Sequence, residues 1–356
     1  MDRVKLQYGV IIFLFILFFP AYLSAVPSHT ITQKDTFINP NTTINLKSDV
    51  NSEEENLKKK QIEEHSYKAT KFSYERKFDK ALEEYKKILE LDPNMAMAHN
   101  DIAWTYIQRN KPNDLPLAER ELLEAIRLDP NLILAHRNLW WVYRLQDKKE
   151  IAVKQLEKII QFEPDKAENY INLADGYLSD VKDFSQAAET YKKALKIKPE
   201  NHIYSRLAKA LEYQGKYKEA IQVLETIIKK SPKDCYPYLF LAVILGKSGK
   251  KEQIPERMKA PLKVIQEEPF TARQNEWPIK LMKFYSGELS EKDLLSDASL
   301  HSLWETQAFY YIGMKYVWES NKEKAISYLK QCIEKKNTRS AEFEYAKIEL
   351  YLLEKK

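Results

Sequence analysis

A short motif that occurs five times along the chain restricts the fold more than any other feature of this sequence. Each copy ends on a proline, and successive prolines follow one another at intervals of about 34 residues. An alanine lies twelve residues before each proline. Since proline ends a helix and small residues let helices cross closely, the spacing predicts a repeated pair of helices. The prolines are Pro93, Pro130, Pro164, Pro199 and Pro232, and the alanines are Ala81, Ala118, Ala152, Ala187 and Ala220.

A second small residue lies on the N-terminal side of most copies, and an apolar side chain follows it three residues later. Together with the alanine and the proline, this arrangement resembles the tetratricopeptide repeat (TPR), with its Leu-small-x-x-Tyr, Ala-x-x-x-Phe and Pro positions. The resemblance implies an all-α superhelical solenoid of antiparallel helix pairs. The small and apolar residues are Ala69 and Phe72, Ala103 and Tyr106, Ala174 and Tyr177, and Ala208 and Leu211.

The clarity of the repeat divides the chain into three segments. Residues 52–234 hold five TPR units, residues 235–303 hold degenerate units, and residues 304–356 hold a final unit with a further helix. The middle segment is degenerate because Pro255 and Pro261 are expected to break the second helix there. We therefore expect regular helix pairs on both sides of a less regular region.

The last predicted helix runs from Ala341 to Glu354 and is amphipathic. A stack of repeats exposes an apolar face at its end, so this helix is expected to cap the solenoid. The C-terminal region also looks like that of bacterial secreted TPR proteins, including periplasmic TPR lipoproteins that dock peptidoglycan hydrolases and their protease. The chain departs from those lipoproteins because no cysteine for lipid attachment lies between Met1 and Pro40. The resemblance rests on Ser286 to Leu295, Ala308 to Gly313 and Glu342 to Leu350.

The N-terminus has the pattern of a secretory signal peptide. Arg3 and Lys5 precede ten uninterrupted apolar residues, and small residues follow up to Ala25. Residues 1–25 are therefore predicted to be a signal peptide, and the protein to be periplasmic or secreted after cleavage. The alternative is an uncleaved segment that anchors the chain, and this would be its only membrane contact.

A polar stretch separates this signal from the repeats. Residues 26–51 are rich in Thr, Asn and Ser, so we expect a flexible tether that cannot bury enough apolar surface to order itself. Ser52 and Glu55 have the spacing of a capping box and predict that the first helix begins there.

Composition argues against catalysis and cofactors. Only 7 glycines are present, and they form no phosphate-binding loop, while Cys235 and Cys332 form no C-x-x-C pair. His65, His99 and His136 occupy the same position in successive units and are predicted to pack between repeats rather than to bind metal. The net charge of +5 comes from interleaved Lys and Glu, which does not indicate nucleic-acid binding. We expect no enzyme activity, cofactor or metal.

The candidate site follows from the TPR resemblance. In that family the first helix of each unit lines the concave side of the solenoid, where partners bind. Trp104 and Trp141, with Arg137 and Arg144 beside them, have the composition of a binding hot spot, whereas Trp140 is expected to pack against the next helix. Carried onto this sequence, the predicted partner-binding residues are Asn100, Trp104, Arg137, Trp141, Arg144, Asp175 and Lys209.

The predicted function is that of a non-catalytic scaffold or adaptor in the cell envelope or periplasm, which binds a protein or peptide on its concave face. One alternative is a cell-wall or carbohydrate-binding module, in which exposed Trp and Tyr stack on sugar rings. Another is a structural subunit of an envelope complex, with Pro255 to Ser299 as an insertion surface. Sequence alone does not distinguish these hypotheses, and it does not give the oligomeric state.

Overall fold

The fold is all-α, as predicted. The structure is a computed structural model that describes residues 46–267 and 275–355. Side chains are described from Glu53 onward, apart from that of Gln266. The described ranges contain helices and no strand. The predicted signal peptide and most of the predicted tether lie outside the described residues. Within the described ranges, no helix combines the length and the apolar character that crossing a bilayer requires.

The chain divides into two compact units at Lys148 and Lys149. Unit 1 has five described helices, and each packs against the next through α5, so that α1 pairs with α2 and α3 pairs with α4. Helices α3 and α5 are also in contact, as expected for the first helices of consecutive repeats. The helices are α1 (Leu46–Tyr74), α2 (Phe78–Leu91), α3 (Ala96–Arg109), α4 (Asp114–Leu128) and α5 (Ile133–Leu145).

Unit 2 contains the remaining described helices. Its first part is built from α6 (Lys149–Phe162), α7 (Ala167–Asp175), α8 (Phe184–Ile197), α9 (Asn201–Tyr213), α10 (Tyr217–Lys230) and α11 (Cys235–Lys247). One turn of π-helix, Gly176–Val181, extends α7. Its second part is built from α12 (Ile254–Gln266), α13 (Glu276–Ser286), α14 (Glu291–Ala298), α15 (Ser302–Trp318), α16 (Lys322–Glu334) and α17 (Ala341–Glu354).

Small and apolar residues at the repeated positions form the core of each unit. Ala81 and Ala118 are fully buried in unit 1, and Ala187 and Ala220 are fully buried in unit 2. An alanine at these positions lets two helix backbones approach, and larger apolar side chains fill the space beside it. The two cysteines are buried and form no disulfide, as expected for small hydrophobic residues.

Two details of the sequence prediction are wrong. The first helix begins at Leu46 rather than at Ser52, because no proline or glycine lies between these residues to stop it. The second helix of the degenerate segment is not broken, since α12 runs from Ile254 to Gln266 with both prolines inside it. Pro255 lies in the first turn, where no N–H donor is needed.

The helix α12 tolerates its interior proline because it is held by packing. Its side chains Met258, Leu262 and Ile265 are buried in the core of unit 2, at 0%, 2% and 0% exposure. Burial of such side chains offsets the hydrogen bond that Pro261 removes. The described helices of the segment from Pro255 to Ser299 are thus part of the core and do not form a separate insertion.

Candidate functional site

The predicted site residues of unit 1 lie on α3 and α5, the neighbouring first helices of two repeats. Asn138 on α5 donates a hydrogen bond of 2.8 Å from its Nδ2 to the Oδ1 of Asn100 on α3. The Nδ2 of Asn100 donates to the Oδ1 of Asp101 over 3.1 Å. Because both ends of its amide are used and the residue is 4% exposed, Asn100 links the two helices. Its assignment as a partner contact is therefore corrected.

Tryptophan and arginine side chains group together along α5. The guanidinium of Arg144 is 5.4 Å from the ring centroid of Trp140 and 5.7 Å from that of Trp141. The two indole rings are 5.8 Å apart and tilted by 56°. Both tryptophans are partly exposed, while Arg137 and Arg144 are exposed. An arginine beside two indoles forms cation–π contacts.

Trp104 is partly exposed on α3, the helix that contacts α5. We define the tryptophan–arginine face of unit 1 as Trp104, Arg137, Trp140, Trp141 and Arg144. The sequence prediction did not include Trp140, which it expected to pack against the next helix. The sequence did contain a signal for Trp140, namely Arg144 four residues later, because residues four apart on a helix lie on the same side.

A partly buried carboxyl group, that of Asp101, lies on α3 one helical turn before Trp104. Burial raises the pKa of Asp101 to about 6, although the hydrogen bond from Asn100 opposes the rise. Tyr85 on α2 lies near enough to Asp101 for its own pKa to be raised, by burial first and then by that carboxylate. Nothing in the spacing of the sequence singled out Asp101, since acidic residues are frequent on all the helices.

In unit 2, Asp175 lies at the end of α7 and is held by two neighbouring helices. Its Oδ1 accepts a hydrogen bond of 2.5 Å from the hydroxyl of Tyr191 on α8. Its Oδ2 accepts from the guanidinium of Arg206 on α9. The side chain is 40% exposed, so Asp175 can be reached by solvent, but its charge is already paired within the unit.

Lys209 lies on α9 at the predicted position, but it is not open to a partner. Its side chain is 1% exposed, and its Nζ lies 2.7 Å from the Oε2 of Glu212. On α11, the Nζ of Lys247 lies 2.8 Å from the Oε1 of Glu212 and 2.9 Å from the Oε1 of Glu349. The Nζ of Lys209 lies 3.7 Å from the Oε1 of Glu349. The partner-binding assignment of Lys209 is therefore wrong, because α17 brings Glu349 over it.

These four side chains form a buried cluster of two positive and two negative charges, named here the lysine–glutamate cluster (Lys209, Glu212, Lys247 and Glu349). Burial on its own would raise the pKa of Glu212, but Lys209 and Lys247 outweigh it and lower that pKa to about 2. Burial likewise opposes the charge of Lys247, whereas Glu212 and Glu349 hold its pKa above the usual value. Glu212 and Lys247 are thus both ionised at neutral pH.

The three histidines at the repeated position form hydrogen bonds within their own repeat or with the proline that ends the preceding repeat. The Nδ1 of His65 lies 2.7 Å from Glu84, and the Nδ1 of His99 lies 2.7 Å from Glu121. His136 uses its Nε2, which is 3.0 Å from the carbonyl oxygen of Pro130. The described residues contain no group of three or more side chains arranged to hold a metal ion.

Comparison with known proteins agrees with this architecture. Two stretches, residues 68–133 and residues 178–244, match family models described as tetratricopeptide repeat. The chain contains tetratricopeptide repeats. A solved TPR protein from Parabacteroides merdae is 16% identical, with 83% of this chain and 99% of that chain covered and a TM-score of 0.50, which shows the same fold.

Other solved structures align with parts of this TPR protein. The MamA protein is 27% identical over 49% of this chain and 93% of its own, with a TM-score of 0.42. Pseudomonas aeruginosa PilF is 16% identical over 82% of this chain and 99% of its own, with a TM-score of 0.41. TPR units present extended binding surfaces, and proteins built from them are in general non-catalytic protein–protein interaction scaffolds.

Proposed function

We propose that this TPR protein is a non-catalytic adaptor of the cell envelope or periplasm that binds a protein or peptide on the tryptophan–arginine face of unit 1. The observation that carries the proposal is the position of the Arg144 guanidinium, 5.4 Å from the Trp140 ring and 5.7 Å from the Trp141 ring. Binding hot spots are enriched in tryptophan and arginine, and a partly exposed indole gains much apolar burial when a partner covers it.

The chemistry of this face favours a partner segment with carboxylates and apolar side chains. Arg137 and Arg144 are exposed on α5 and provide donors in a planar fork that matches a carboxylate. Because α3 and α5 are rigid helices in contact, little ordering is needed on this side of the complex. A helix or an extended peptide can therefore lie across Trp104 and Trp141.

The alternative of sugar binding has less support from the same residues. A carbohydrate ring stacks on an open aromatic face, whereas the Arg144 cation lies over both Trp140 and Trp141. Capture on purified peptidoglycan, compared with capture from an envelope protein extract, separates the two functions. The adaptor proposal expects retention of protein and no retention on peptidoglycan.

Export belongs to the same proposal and rests on the pattern of residues 1–25. It has its own test, in which the native chain is localised by cell fractionation and its N-terminus is sequenced. The proposal expects the protein in the extracytoplasmic fraction with a new N-terminus near Val26. Recovery in the cytoplasm with an intact Met1 would contradict it.

Substitutions on α5 test the binding face itself. We expect Trp141→Ala or Arg137→Glu to reduce partner capture from a native envelope extract by at least about tenfold, as is usual for hot-spot residues. The matched control is Arg127→Glu, which changes an exposed arginine on the second helix α4 that pairs with Glu124. Captured proteins are quantified by mass spectrometry, and the helical circular-dichroism signal and melting temperature are expected to stay nearly unchanged. Unfolding of the variants, or equal capture by all three, would contradict the assignment.

A further inference from the structure

Two second helices of unit 2, α10 and α12, border a recess in the surface. Both helices pack on α11, which lies between them in the chain. The recess has a volume of about 360 Å³, near the lower end of the range of about 300–1,000 Å³ for ligand pockets. We define the α10–α12 recess by six of its lining residues: Ile228 on α10, Pro232 in the turn that follows, and Arg257, Ala260, Pro261 and Val264 on α12.

The walls of the α10–α12 recess are mostly apolar and open to solvent. Val264 is 50% exposed, Ala260 is exposed and Ile228 is partly buried. Tyr238 on α11 also lines the recess, and its hydroxyl donates a hydrogen bond of 3.0 Å to the carbonyl oxygen of Pro232. This hydrogen bond fixes the turn that borders the recess. Because the walls belong to packed helices and a held turn, an apolar side chain can enter with little ordering cost on this side.

An ion pair joins α10 and α12 beside the recess. The Nη2 of Arg257 lies 2.5 Å from the Oε1 of Glu225 on α10. The two side chains are 44% and 38% exposed, so water weakens the pair. A guanidinium has five N–H donors, and a single carboxylate does not use them all. Arg257 can therefore pair with a further carboxylate without losing Glu225.

Pro261 changes the hydrogen bonding of the recess wall. It lies inside α12, where another residue would donate its N–H to the carbonyl oxygen four residues earlier, that of Arg257. Proline has no N–H and cannot form this bond. Arg257 and Pro261 both line the recess, which places the carbonyl on the recess side of α12. The recess thus offers a backbone acceptor to the N–H of a bound peptide, as in peptide recognition through main-chain hydrogen bonds.

Lysines give the rim of the recess a positive charge. Four lining residues have an exposed lysine next to them in the sequence. Glu256 also lines the recess, and Glu225 is paired with Arg257. The four ammonium groups and the guanidinium outweigh these two carboxylates, so the rim attracts a negatively charged partner. The lysines are Lys229, Lys233, Lys259 and Lys263.

We infer that the α10–α12 recess is a binding site for an extended acidic segment of another protein, in which Asp or Glu flanks one bulky apolar side chain. The apolar side chain fills the recess between Ile228 and Val264, and a backbone N–H beside it donates to the Arg257 carbonyl. The flanking carboxylates pair with the lysines of the rim. The site uses second helices of unit 2, so it stands whether or not the tryptophan–arginine face on the first helices of unit 1 binds a partner.

A lipid surface and a second copy of the chain fit the recess less well. Anionic headgroups bind to clusters of basic side chains and need no apolar recess. The Arg257 carbonyl would lose its access to water under acyl chains, with no donor to replace it. Two copies that met recess to recess would bring like charges together. A peptide supplies the apolar group, the N–H donor and the negative charge at once.

The first test selects ligands for the full chain from a random library of 12-residue peptides displayed on phage. Counter-selection on Ala260→Trp, whose indole fills the recess, removes ligands of every other surface, the tryptophan–arginine face included. Ala260 is exposed, so the larger side chain stays out of the core. We expect peptides to survive this step and to carry Asp or Glu around one Leu, Ile, Phe or Trp. The matched control is Ala341→Trp, the same change at an exposed alanine on α17, which should retain the surviving peptides.

The second test titrates a surviving peptide, labelled with fluorescein, against full-length variants by fluorescence anisotropy. Pro261→Ala restores the N–H that pairs with the Arg257 carbonyl, so we expect the melting temperature to stay equal or rise while the peptide binds at least about tenfold more weakly. Reversing Lys229 and Lys263 together to Glu should also weaken binding at least about tenfold. The control reverses Lys154 and Lys158, two exposed lysines on α6, which changes the net charge equally and should leave the affinity unchanged.

Several results would overturn the inference. These are the survival of no peptide after counter-selection, surviving peptides without acidic residues, or full affinity in Pro261→Ala. Binding to phosphatidylglycerol vesicles that Ala260→Trp abolishes would assign the recess to lipid. Dimers in sedimentation that Ala260→Trp abolishes would assign it to a second copy. Circular dichroism checks that Ala260→Trp is folded, and Val264→Trp, at a half-exposed position, replaces it in every test if it is not.

Discussion

The repeat position 23 residues before the terminal proline has opposite roles in the two units. On α5 of unit 1, it carries Trp141, which forms a partly open face with the exposed Arg137 and Arg144 at neighbouring positions. On α9 of unit 2, it carries Lys209, which is 1% exposed beneath α17. A TPR first helix thus presents its side chains either to solvent or to another part of the chain. The identity of the covering element, and not the repeat itself, decides which.

The two units also differ in how they hold buried charge. Unit 2 neutralises Lys209 and Lys247 with two carboxylates, so the cluster carries no excess charge. Unit 1 holds the partly buried carboxyl group of Asp101, which accepts a hydrogen bond from the neutral amide of Asn100. A paired carboxyl group favours ionisation, and one without a cation nearby resists it. The units should therefore respond differently to substitution and to acid.

The largest expected effect comes from breaking the cluster. Glu212→Gln leaves Lys209 and Lys247 facing one carboxylate in a buried site, so it should lower the free energy of unfolding of unit 2 by about 3–5 kcal/mol. Glu225→Gln is the control, because Glu225 pairs with Arg257 at the surface and should cost less than about 1 kcal/mol. Urea unfolding followed by hydrogen exchange for each unit measures both. Equal losses in the two variants would show that the cluster contributes no more than a surface pair.

Lowering the pH should change the stability of the two units in opposite directions. The pKa of Glu212 is about 2 in the folded chain, below its usual value of 4.5, so unit 2 keeps this stabilisation above pH 4.5 and loses it as the pH falls towards 2. The pKa of Asp101 is about 6, above its usual 3.8, so unit 1 gains stability as the pH falls from about 7 to about 4. Each change should amount to about 3 kcal/mol in the free energy of unfolding.

The pH effects are measured by hydrogen exchange of peptides from each unit between about pH 7 and about pH 2.5, after correction for the intrinsic exchange rate. Asp101→Asn should abolish the gain in unit 1, and Glu212→Gln should abolish the loss in unit 2. Parallel pH profiles for the two units in the wild-type chain would contradict the difference in charge pairing.

A smaller effect is expected where α11 contacts α15. A Cβ atom added at Gly246 would lie 2.3 Å from the indole of Trp318, so Gly246→Ala should destabilise unit 2 by about 1–3 kcal/mol although alanine favours helices. Thermal melting measures the loss. Combining it with Trp318→Leu, which makes room, should cost less than the sum of the two single changes. Simple additivity would mean that the close approach is not what requires glycine.

The helical repeats were predictable because the signal is local. Apolar spacing and the terminal prolines give each helix pair from about 34 residues of sequence, and the resulting all-α TPR fold is confirmed. The helix α12 was missed because a local rule about Pro261 gave way to burial of Met258 and Leu262. Tertiary packing of this kind leaves no mark in the spacing of a single helix.

The candidate site was less predictable for a related reason. The repeat pattern placed Lys209 on the correct helix, but Lys209 is covered by Glu349, which lies near the C-terminal end of the chain. The available signal was that Glu342, Tyr345 and Glu349 recur at helical spacing on α17, which puts carboxylates on a side that is buried. A polar residue on a buried side indicates a partner within the fold, yet it does not say which one.

Chemical labelling followed by mass spectrometry tests the contrast between the two units most directly. Treating the native full chain with an amine reagent and an arginine reagent reports the exposure of both faces in one sample. We expect Arg137 and Arg144 to react as fast as exposed arginines, and Lys209 and Lys247 to react at least about tenfold more slowly than exposed Lys347 on α17. Rapid labelling of Lys209, or protection of both arginines in the free protein, would contradict an open face in unit 1 and a covered one in unit 2.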